Sequence, residues 1–397
     1  IAVVTGDATY TATFTEALRN YTVKFVHEDG TVLDTQTLTY GTMPEYKGPT
    51  PEKEATAQYT YTFSGWTPEI TTVTGDATYT AVFTAEEVPA AEVLRVAGSN
   101  RYKTSLKIAD ELKEELGITK FDSVILATGE AFADALSGSY LSAVKTVPIL
   151  LIREKDLSTL KTYITDNLSE GGTIYVLGGT GAIPEEWLEG LERYQRKRLS
   201  GSSRYTTNLE VLREAGIPDG SEILVATGEG FADSLSASST GKPILLVKNT
   251  LSKVQKDFLS ELAGKGMRYT ILGGTGAVSD ELKAEIEACT GAIVGRISGK
   301  TRYETTVMIA ERYFPDARSV LLATAENYPD GLCAGVLGTV RKAPLILCTN
   351  EKTKTAVSFC AERDIHSGIV FGGTAVLSDE TVRTILDLSE DVEVVVK

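Results

Sequence analysis

The sequence predicts an α/β fold made of three tandem parallel-sheet modules, preceded by a small β-rich module. Two observations support this prediction. Four motifs recur three times in the same order over roughly residues 94–397, and within each copy nearly continuous apolar strands alternate with helical stretches. This alternation is typical of a parallel sheet covered by helices on both faces. A different, strand-like repeat occupies the first part of the chain.

The four motifs follow one another within each copy of the longer repeat. They are a G-x-x-R-Y-x-T signature, a strand and turn ending in F-A-D or Y-P-D, an apolar run after proline, and a glycine loop. The signatures lie at 95–104, 198–207 and 296–305, and the turns at 125–137, 224–236 and 321–333. The apolar runs lie at 148–152, 243–247 and 344–348, and the glycine loops at 175–184, 270–279 and 369–378. We therefore predict modules at 94–195, 196–292 and 293–397, after a linker at 85–93.

The first copy shows how the elements of a module are predicted. Apolar periodicity indicates helices at 105–117 and 132–144, and strands at 123–129 and 173–179. Residues 184–194 read as a helix with proline in its first turn. The end of the chain, 392–397, reads as a closing strand that completes the last module.

The first 90 residues carry a shorter repeat. The stretches at 4–15 and 73–84 are nearly identical, and both alternate apolar and polar residues as half-buried strands do. Residues 21–41 predict a hairpin around Glu28, Asp29 and Gly30, and residues 59–70 a strand with Trp66 as a core anchor. We expect 21–84 to be one complete module and 1–15 the tail of a truncated one, in an array of such modules.

Composition and charge exclude several classes of function. The 397 residues carry a net charge of −15, so free nucleic acid is not an expected partner. Most of the imbalance lies in residues 1–90, with 4 basic and 12 acidic residues, so the rest leaves room for local basic patches. No apolar run reaches the roughly 18 residues of a membrane span. The chain begins without methionine or a signal peptide, which we interpret as a fragment of an exported surface protein.

Cysteine and histidine usage predicts neither a metal site nor a cofactor. The four cysteines form no C-x-x-C pair, and only His27 and His366 could join them, so no zinc spacing is present. Cys348 ends an apolar run and is expected to be a buried thiol.

The glycine loop L-G-G-T-G-A follows a strand and precedes a helical stretch, a geometry that favours an anion. The loop lacks the glycine spacing of dinucleotide sites and the lysine of a phosphate-binding loop, so it does not predict a nucleotide. Two interpretations stay open: a turn that only serves packing, or a turn that also lines a site for an anionic ligand. The third copy replaces Gly276 of the second by Ala375.

Catalysis finds little support in these motifs. Ser137 and Ser236 follow the F-A-D turn, but the third copy has Cys333 and no module has its own histidine as a base. One aspartate recurs at the turn, as Asp134, Asp233 and Asp330, and a glutamate precedes it by four residues, as Glu130, Glu229 and Glu326. We interpret these acids as capping or ion-pairing residues, and we expect no enzyme.

An arginine recurs in the signature, as Arg101, Arg204 and Arg302. Its planar guanidinium offers a fork of donors to carboxylates and phosphates. It could form an ion pair with the recurring aspartate, or present its donors to a ligand. Both can hold, because a loop fixed by one bond still has other donors.

At these motifs the three modules resemble the cell wall binding repeat type 2 family. The resemblance implies a pseudo-threefold arrangement of the triplet within one chain. It also implies that the chain holds a Gram-positive surface or S-layer-associated protein on the wall, without covalent attachment, by binding an anionic secondary wall polymer. From the arginine donors and the loop N–H groups we predict the polymer-binding residues Arg101, Tyr102, Thr104, Arg204, Tyr205, Thr207, Arg302, Tyr303, Thr305, Gly178, Gly179, Thr180, Gly273, Gly274 and Thr275. The implied anchoring motif, read as support of the sheet or module interface, is Ile149, Leu150, Leu151, Ile244, Leu245, Leu246, Leu345, Ile346 and Leu347.

The mechanism that we infer is avidity, in which three weak sites on one rigid body meet a repeating polymer. Arginine forks and loop N–H groups would hold phosphates, and tyrosines would stack on sugars. The third copy departs from the family pattern in its turn and its glycine loop, so it is expected to bind most weakly if the loop takes part.

The N-terminal segment resembles the Listeria–Bacteroides or internalin B-repeat family, through Y-T-V-K-F, Y-T-F-S-G-W and V-T-G-D-A-T-Y-T-A. That resemblance implies a spacer at the cell surface. Two alternatives from other classes remain: an adhesin or autolysin fragment that binds a host or peptidoglycan ligand, and an enzyme acting on wall glycans. Other surface or S-layer proteins are candidate partners.

Overall fold

The computed structural model describes residues 3, 5–54, 59–87, 92–328 and 330–397 of the chain. The chain forms two compact units, residues 1–90 and residues 91–397. The central part of the predicted linker, 88–91, lies outside the described residues, as do residues 1, 2 and 4 of the predicted tail.

The first unit is one four-stranded sheet with the order β2-β1-β4-β3. Its strands are β1 (Asn20–Val26), β2 (Val32–Thr39), β3 (Tyr59–Thr67) and β4 (Ala77–Glu87). β1 and β2 form the predicted hairpin, with Gly30 in the turn at a φ of +87°. The core contains Phe25 and Tyr79, and the half-buried Trp66 packs edge-on against Phe25 at 4.8 Å between ring centroids.

The predicted strand at 4–15 is wrong for its described residues. Residues 5–15 form no strand, and Tyr10 and Phe14 are 82% and 92% exposed. Much of the nearly identical stretch at 73–84 forms β4, which lies between β1 and β3. Since residues 5–15 have no strand beside them in the described part of the chain, an alternating pattern alone does not hold them extended in a sheet.

The second unit alternates strands and helices in three successive sets. The first set is β5 (Val93–Val96), α1 (Arg101–Glu115), β6 (Phe121–Thr128), α2 (Phe132–Lys145), β7 (Ile149–Ile152), α3 (Leu157–Asn167) and β8 (Leu168–Leu177). The second is β9 (Gln195–Leu199), α4 (Arg204–Ala215), β10 (Glu222–Thr227), α5 (Ala232–Ala237), β11 (Ile244–Val247), α6 (Lys253–Leu262), β12 (Arg268–Leu272) and α7 (Asp280–Thr290). The third is β13 (Val294–Ile297), α8 (Arg302–Tyr313), β14 (Val320–Thr324), α9 (Gly335–Arg341), β15 (Leu345–Cys348), α10 (Lys354–Ala361), β16 (Gly368–Phe371), α11 (Asp379–Leu386) and β17 (Val394–Val396).

The helix predicted at 184–194 is wrong. The structure has only a short 3-10 helix there, Glu185–Leu188. Gly190 follows at a φ of +82°, a conformation that ends a right-handed helix and that glycine adopts without strain. The corresponding α7 contains no glycine before Gly291, and it runs for three turns from its Ser279 cap.

The three parallel sheets of the second unit confirm the predicted α/β class. Each sheet includes one strand that belongs to another repeat. The sheet orders are β7-β6-β8-β9, β11-β10-β12-β13 and β15-β14-β16-β5-β17. Thus β9, from the second signature, finishes the first sheet, and β13, from the third, finishes the second. The third sheet takes β5 from the start of the unit, which closes the three modules into a ring.

This ring corrects the prediction for the end of the chain. Residues 392–397 do not complete the last module, because β5 occupies the position beside β16. β17 instead adds a fifth strand on the outer side of β5, parallel to it. A sequence pattern cannot distinguish the two placements, since both strands are short and rich in valine.

The apolar runs after proline form β7, β11 and β15, which are edge strands yet fully buried. Their outer backbone groups bond to side chains of the preceding signature helix. Asn208 of α4 donates to the Ile244 carbonyl at 3.0 Å and accepts from the Leu246 N–H at 2.9 Å. The nine anchoring-motif residues therefore lie inside the sheets, away from solvent.

The cysteines are unpaired, and Cys333, Cys348 and Cys360 are buried. Cys348 is 0% exposed, which confirms the prediction of a buried thiol, and this burial raises its pKa to about 12. No helix in the described residues is long and apolar enough to cross a membrane.

Candidate functional site

The carboxyl ends of the sheet strands form a crevice in each module. In the first sheet the chain leaves the neighbouring strands β6 and β8 in opposite directions, towards β7 and β9. Such a switch point opens a crevice in which parallel α/β folds bind ligands. Asp134, on the first turn of α2 after β6, and Gly178, after β8, meet there.

The first glycine of each glycine loop is required by packing. Gly178 has a φ of +96°, and a Cβ atom on it would lie 2.7 Å from Oδ2 of Asp134. Gly273 and Gly372 stand in the same way against Asp233 and Asp330. Gly181, in contrast, has open space where a Cβ would be, and Ala375 holds the corresponding place in the third loop. The recurrence of the first glycine therefore has a structural cause.

The remaining loop atoms still permit an anion. The Gly178 N–H donates to the Leu199 carbonyl at 2.9 Å, and the N–H groups of Ala182 and Ile183 donate to the Gly179 carbonyl. The N–H groups of Gly179, Thr180 and Gly181 make no hydrogen bond to any described residue. Three consecutive donors per loop are thus available to a ligand.

We expect G178A to destabilise the second unit by about 2 kcal/mol, because it adds strain at positive φ and a clash with Asp134. The matched control is G181A, which adds the same methyl group in open space and is expected to change stability by less than about 0.5 kcal/mol. Urea denaturation measures both free energies of unfolding. Equal effects of the two substitutions would contradict the packing explanation.

The signature arginines bond to the turn of their own module. Arg101 donates through Nη1 to the Gly129 carbonyl at 2.7 Å. Arg204 and Arg302 donate in the same way to the carbonyls of Gly228 at 2.6 Å and Ala325 at 2.7 Å. Of the two interpretations left open by the sequence, the ion pair with the aspartate of the same turn is not formed, and each arginine bonds to a backbone carbonyl of that turn instead.

The other signature residues hold this arginine in place. The Gly98 N–H donates to Oγ1 of Thr104 at 3.1 Å, and a Cβ on Gly98 would lie 2.5 Å from the backbone of Lys103. Thr207 and Thr305 accept in the same way from the glycines of their signatures. All three threonines are buried, so they position the loop rather than face a ligand.

The signature tyrosines of the first two modules, Tyr102 and Tyr205, each donate a hydrogen bond to the glutamate of their own turn. The Tyr102 hydroxyl donates to Glu130, and its ring lies under Arg153 at 4.1 Å from the guanidinium carbon. Burial raises its pKa to about 12. Since Tyr102 is 3% exposed, it cannot stack on a sugar in this conformation, whereas Tyr205 and Tyr303 are half-buried.

Each arginine also reaches across to the neighbouring module. The guanidinium carbon of Arg204 lies 5.5 Å from the ring centroid of Phe132, and that of Arg302 lies 5.5 Å from Phe231. Arg101 of the first module lies 5.8 Å from Tyr328 of the third. The contacts therefore run around the ring, and each arginine attracts the face of an aromatic ring in the preceding module.

The three aromatic residues form a triad where the modules meet. Their centroids are 6.2 Å apart for Phe132 and Phe231, 5.6 Å for Phe132 and Tyr328, and 5.7 Å for Phe231 and Tyr328. Each pair makes the same interplanar angle of 62°. This regular triangle shows that the modules are arranged around a pseudo-threefold axis, as the family resemblance implied.

We define a cleft as the aspartate and glycine loop of one module together with the arginine of the next. Burial raises the pKa of Asp134, Asp233 and Asp330, and the arginine of the following module partly offsets that rise. Arg204 and Arg302 are exposed. Two clefts therefore present a guanidinium fork to solvent beside the free loop donors.

The cleft between the third and first modules differs from the other two. Thr104 donates to Oδ1 of Asp330 at 3.2 Å, and the hydroxyl of Tyr328 donates to the Glu130 carbonyl at 3.0 Å. Phenylalanine stands at the place of Tyr328 in the other modules and has no hydroxyl. In this cleft Arg101 is only half exposed, so fewer groups are available to a ligand.

Sequence reasoning missed a second recurring arginine. Arg95, Arg198 and Arg296 open the three signatures, and each donates to the carbonyl of the first loop glycine in the preceding module, at 2.7, 2.9 and 2.8 Å. Each also pairs with an acid just after that loop: Asp379, Glu185 or Asp280. The threefold recurrence of R-x-x-G was visible in the sequence and could have indicated these residues. The described residues contain no group of three or more candidate metal ligands.

The comparisons with known proteins agree with this fold. The model of the family described as Cell wall binding domain 2 (CWB2) matches residues 95–188, 198–283 and 296–382. Two solved structures from Clostridium difficile are similar: Cwp6, with a TM-score of 0.65 and 21% identity over 83% of this chain and 51% of that one, and Cwp8, with 0.66 and 20% over 84% and 64%.

Two curated proteins of Bacillus subtilis are similar in sequence. The N-acetylmuramoyl-L-alanine amidase LytC is 27% identical over 295 residues, which cover 72% of this chain and 56% of the amidase. The amidase enhancer is 26% identical over 299 residues, 74% of this chain and 40% of the enhancer. The chain thus spans about half the length of the curated relatives it matches.

Proposed function

Because this chain belongs to the Cell wall binding domain 2 (CWB2) family, we propose that its three modules hold a surface protein on the cell wall by binding an anionic secondary wall polymer, without a covalent bond. The observation that supports this most directly is the cleft between modules. There an arginine fork stands beside free loop N–H groups at the switch point of a parallel sheet.

In this proposal some groups of a cleft bind the polymer and others position them. Arg204 and Arg302 use Nη1 to fix the loop, and their other donors stay free for phosphate oxygens. The N–H groups of the glycine loops supply further donors, and Thr180 and Thr275 are exposed beside them. The buried threonines and Tyr102 act by positioning. The anchoring motif supports the sheets from within.

Avidity suits a ring of three clefts. One cleft offers few donors to a charged polymer that is well solvated, so we expect each contact to be weak. A polymer that repeats its phosphates can engage several clefts at once, and release then requires all the contacts to break together. The predicted module bounds, 94–195, 196–292 and 293–397, remain part of this proposal.

We infer that these modules anchor rather than catalyse. Each cleft has one half-buried aspartate, which lies against a loop glycine and faces an arginine, and this arrangement does not resemble a pair of acids that share a substrate. The relatives named as an amidase and an amidase enhancer make a wall-active partner domain a second candidate for the whole protein. We also keep the first unit as a spacer of the internalin B-repeat type.

The test is sedimentation of the chain with purified cell walls, intact or stripped of secondary polymer by acid. We expect the chain to remain with intact walls, to be lost from stripped walls, and to be displaced by the released polymer. The reason is that the clefts offer cationic and N–H donors, which suit phosphates. Equal retention on stripped walls would contradict the proposal and favour a peptidoglycan ligand.

A further inference from the structure

No strand among the described residues pairs with the outer side of the second sheet at β13, whereas the corresponding edge of the third sheet carries a strand. β13 is the last strand of its sheet, and its counterpart β5 carries β17 on its outer side. All four residues of β5 are buried, but Gly295 in β13 is exposed. The chain itself therefore shows what kind of element can cover this edge: a short parallel strand.

The backbone of β13 has unused groups on this side. Alternate residues of a strand direct their N–H and C=O groups to opposite neighbours, and the Ile297 carbonyl accepts from Gly273 on the inner side. The backbone N–H and C=O of Arg296 therefore face outwards. Those of Arg95 in β5 do the same, and the Arg95 carbonyl accepts from the Lys397 N–H at 2.9 Å. Among the described residues nothing pairs with this outer side of β13 at Arg296, while the Val294 N–H is bonded to Glu287.

A pocket lies at the amino end of β13, whereas the clefts lie at the carboxyl ends of the strands. It has a volume of about 270 Å³, and its lining consists of Leu262, Met267, Tyr269, Ala292 and Thr290 together with three glycines. Tyr269 is 2% exposed, and its hydroxyl has no hydrogen-bond partner among the described residues. Burial raises the pKa of Tyr269 to about 12, so it is a neutral donor at physiological pH.

The surroundings of this pocket are apolar and basic. Ile293, next to Ala292, is 92% exposed. Lys265 and Arg268 are exposed near the pocket mouth, and neither forms an ion pair with any described residue. The corresponding edge strand of the first sheet, β9, has Arg196 and Lys197 where β13 has Val294 and Gly295, and such charges protect an edge from pairing with an apolar strand.

We propose that the β13 edge binds an extended segment of a partner protein, by addition of a parallel strand. The segment pairs with Arg296, places one apolar side chain in the Tyr269 pocket, and carries acidic residues ahead of its apolar stretch. This mode of recognition takes affinity from the backbone and specificity from the pocket. The sequence S-E-D-V-E-V-V-V-K at 389–397, which includes β17, has the same composition and shows that such a segment fits the corresponding edge.

The test is a titration of the full chain with a fluorescein-labelled peptide of that sequence, followed by fluorescence anisotropy. We expect saturable binding, and in hydrogen–deuterium exchange we expect protection at 294–297 but none at 195–199. Ile293→Lys should weaken binding at least about tenfold. The control is Val144→Lys, which also replaces an exposed β-branched apolar residue by lysine but lies on α2, and it should leave binding unchanged.

Three results would overturn the proposal. They are the absence of saturable binding, equal binding by Ile293→Lys and the parent chain, and loss of protection at β5, which would mean that the peptide displaces β17. Sedimentation velocity adds a fourth. If the chain alone forms a dimer that Ile293→Lys abolishes, the edge belongs to a second copy and not to a partner protein.

Discussion

Exchange of both Arg204 and Arg302 for alanine is expected to lower retention on intact cell walls by about 100-fold or more. Each substitution removes the exposed fork of one cleft, and avidity multiplies the loss when two of three contacts fail. The measurement is the bound fraction in wall sedimentation over a series of chain concentrations. Thermal unfolding of the double variant shows whether it is folded, because both arginines also bond to a turn.

The control for this prediction is a double variant with the same net charge as the chain that lacks Arg204 and Arg302. Arg193 and Arg196 are exposed and lie outside the clefts, so R193A with R196A removes two positive charges elsewhere. That variant should retain wall binding within about twofold, since surface charges away from a site act weakly at physiological salt. If both double variants lose binding equally, general electrostatic attraction explains retention and the clefts do not.

The same experiment ranks the clefts. Arg101→Ala should cost less binding than either Arg204→Ala or Arg302→Ala. The cleft of Arg101 is partly closed by the bonds from Thr104 to Asp330 and from Tyr328 to Glu130. This ranking agrees with the expectation from the sequence that the third copy, with its altered turn and loop, contributes least.

Arg95→Ala is expected to destabilise the second unit by about 3 kcal/mol. Arg95 is 2% exposed, donates to the Gly372 carbonyl at 2.7 Å, and pairs with Asp379 at 2.7 Å. Its removal leaves a buried carbonyl without its donor, and it opens the contact that joins the first and last repeats. Urea denaturation followed by circular dichroism measures the free energy of unfolding.

The counterparts of Arg95 provide a graded comparison. Arg198 and Arg296 make the same bonds to loop carbonyls, but their side chains are 19% and 18% exposed and their acidic partners are largely in solvent. Each alanine variant at these positions should therefore cost about 1 kcal/mol, because solvent screens the pair. An effect of Arg95→Ala no larger than theirs would mean that ring closure does not depend on this residue.

The fold of the modules could be predicted because their pattern is local and repeated. Apolar strands and helical periodicity recur three times, and the structure confirms the parallel α/β sheets. What the pattern could not show is which strand lies beside which. β5 and β17 are both short apolar strands, and only tertiary packing decides that β5 joins β16. The helix predicted at 184–194 was wrong for a similar reason, because the sequence pattern does not show that Gly190 adopts a left-handed conformation.

The candidate site was predictable in part. The signature arginines and the glycine loop were found from recurrence, and the structure brings them together, but in pairs that join neighbouring modules. The sequence could not indicate this, since Arg204 and Asp134 belong to different repeats. The aromatic triad was missed because Phe132, Phe231 and Tyr328 lie inside a motif that draws attention to its acids. Burial of Tyr102 and the signature threonines was equally invisible, because their polar atoms suggested exposure.

The addition of β17 beside β5 has a mechanical consequence. The two strands are adjacent and parallel, so the amino end of β5 and the carboxyl end of β17 lie at opposite ends of the strand pair. A force that pulls on these two ends slides the strands along each other, and it loads their hydrogen bonds together rather than one at a time. Tension along the chain therefore meets the strand pair in shear, the direction in which a ladder of hydrogen bonds yields least readily.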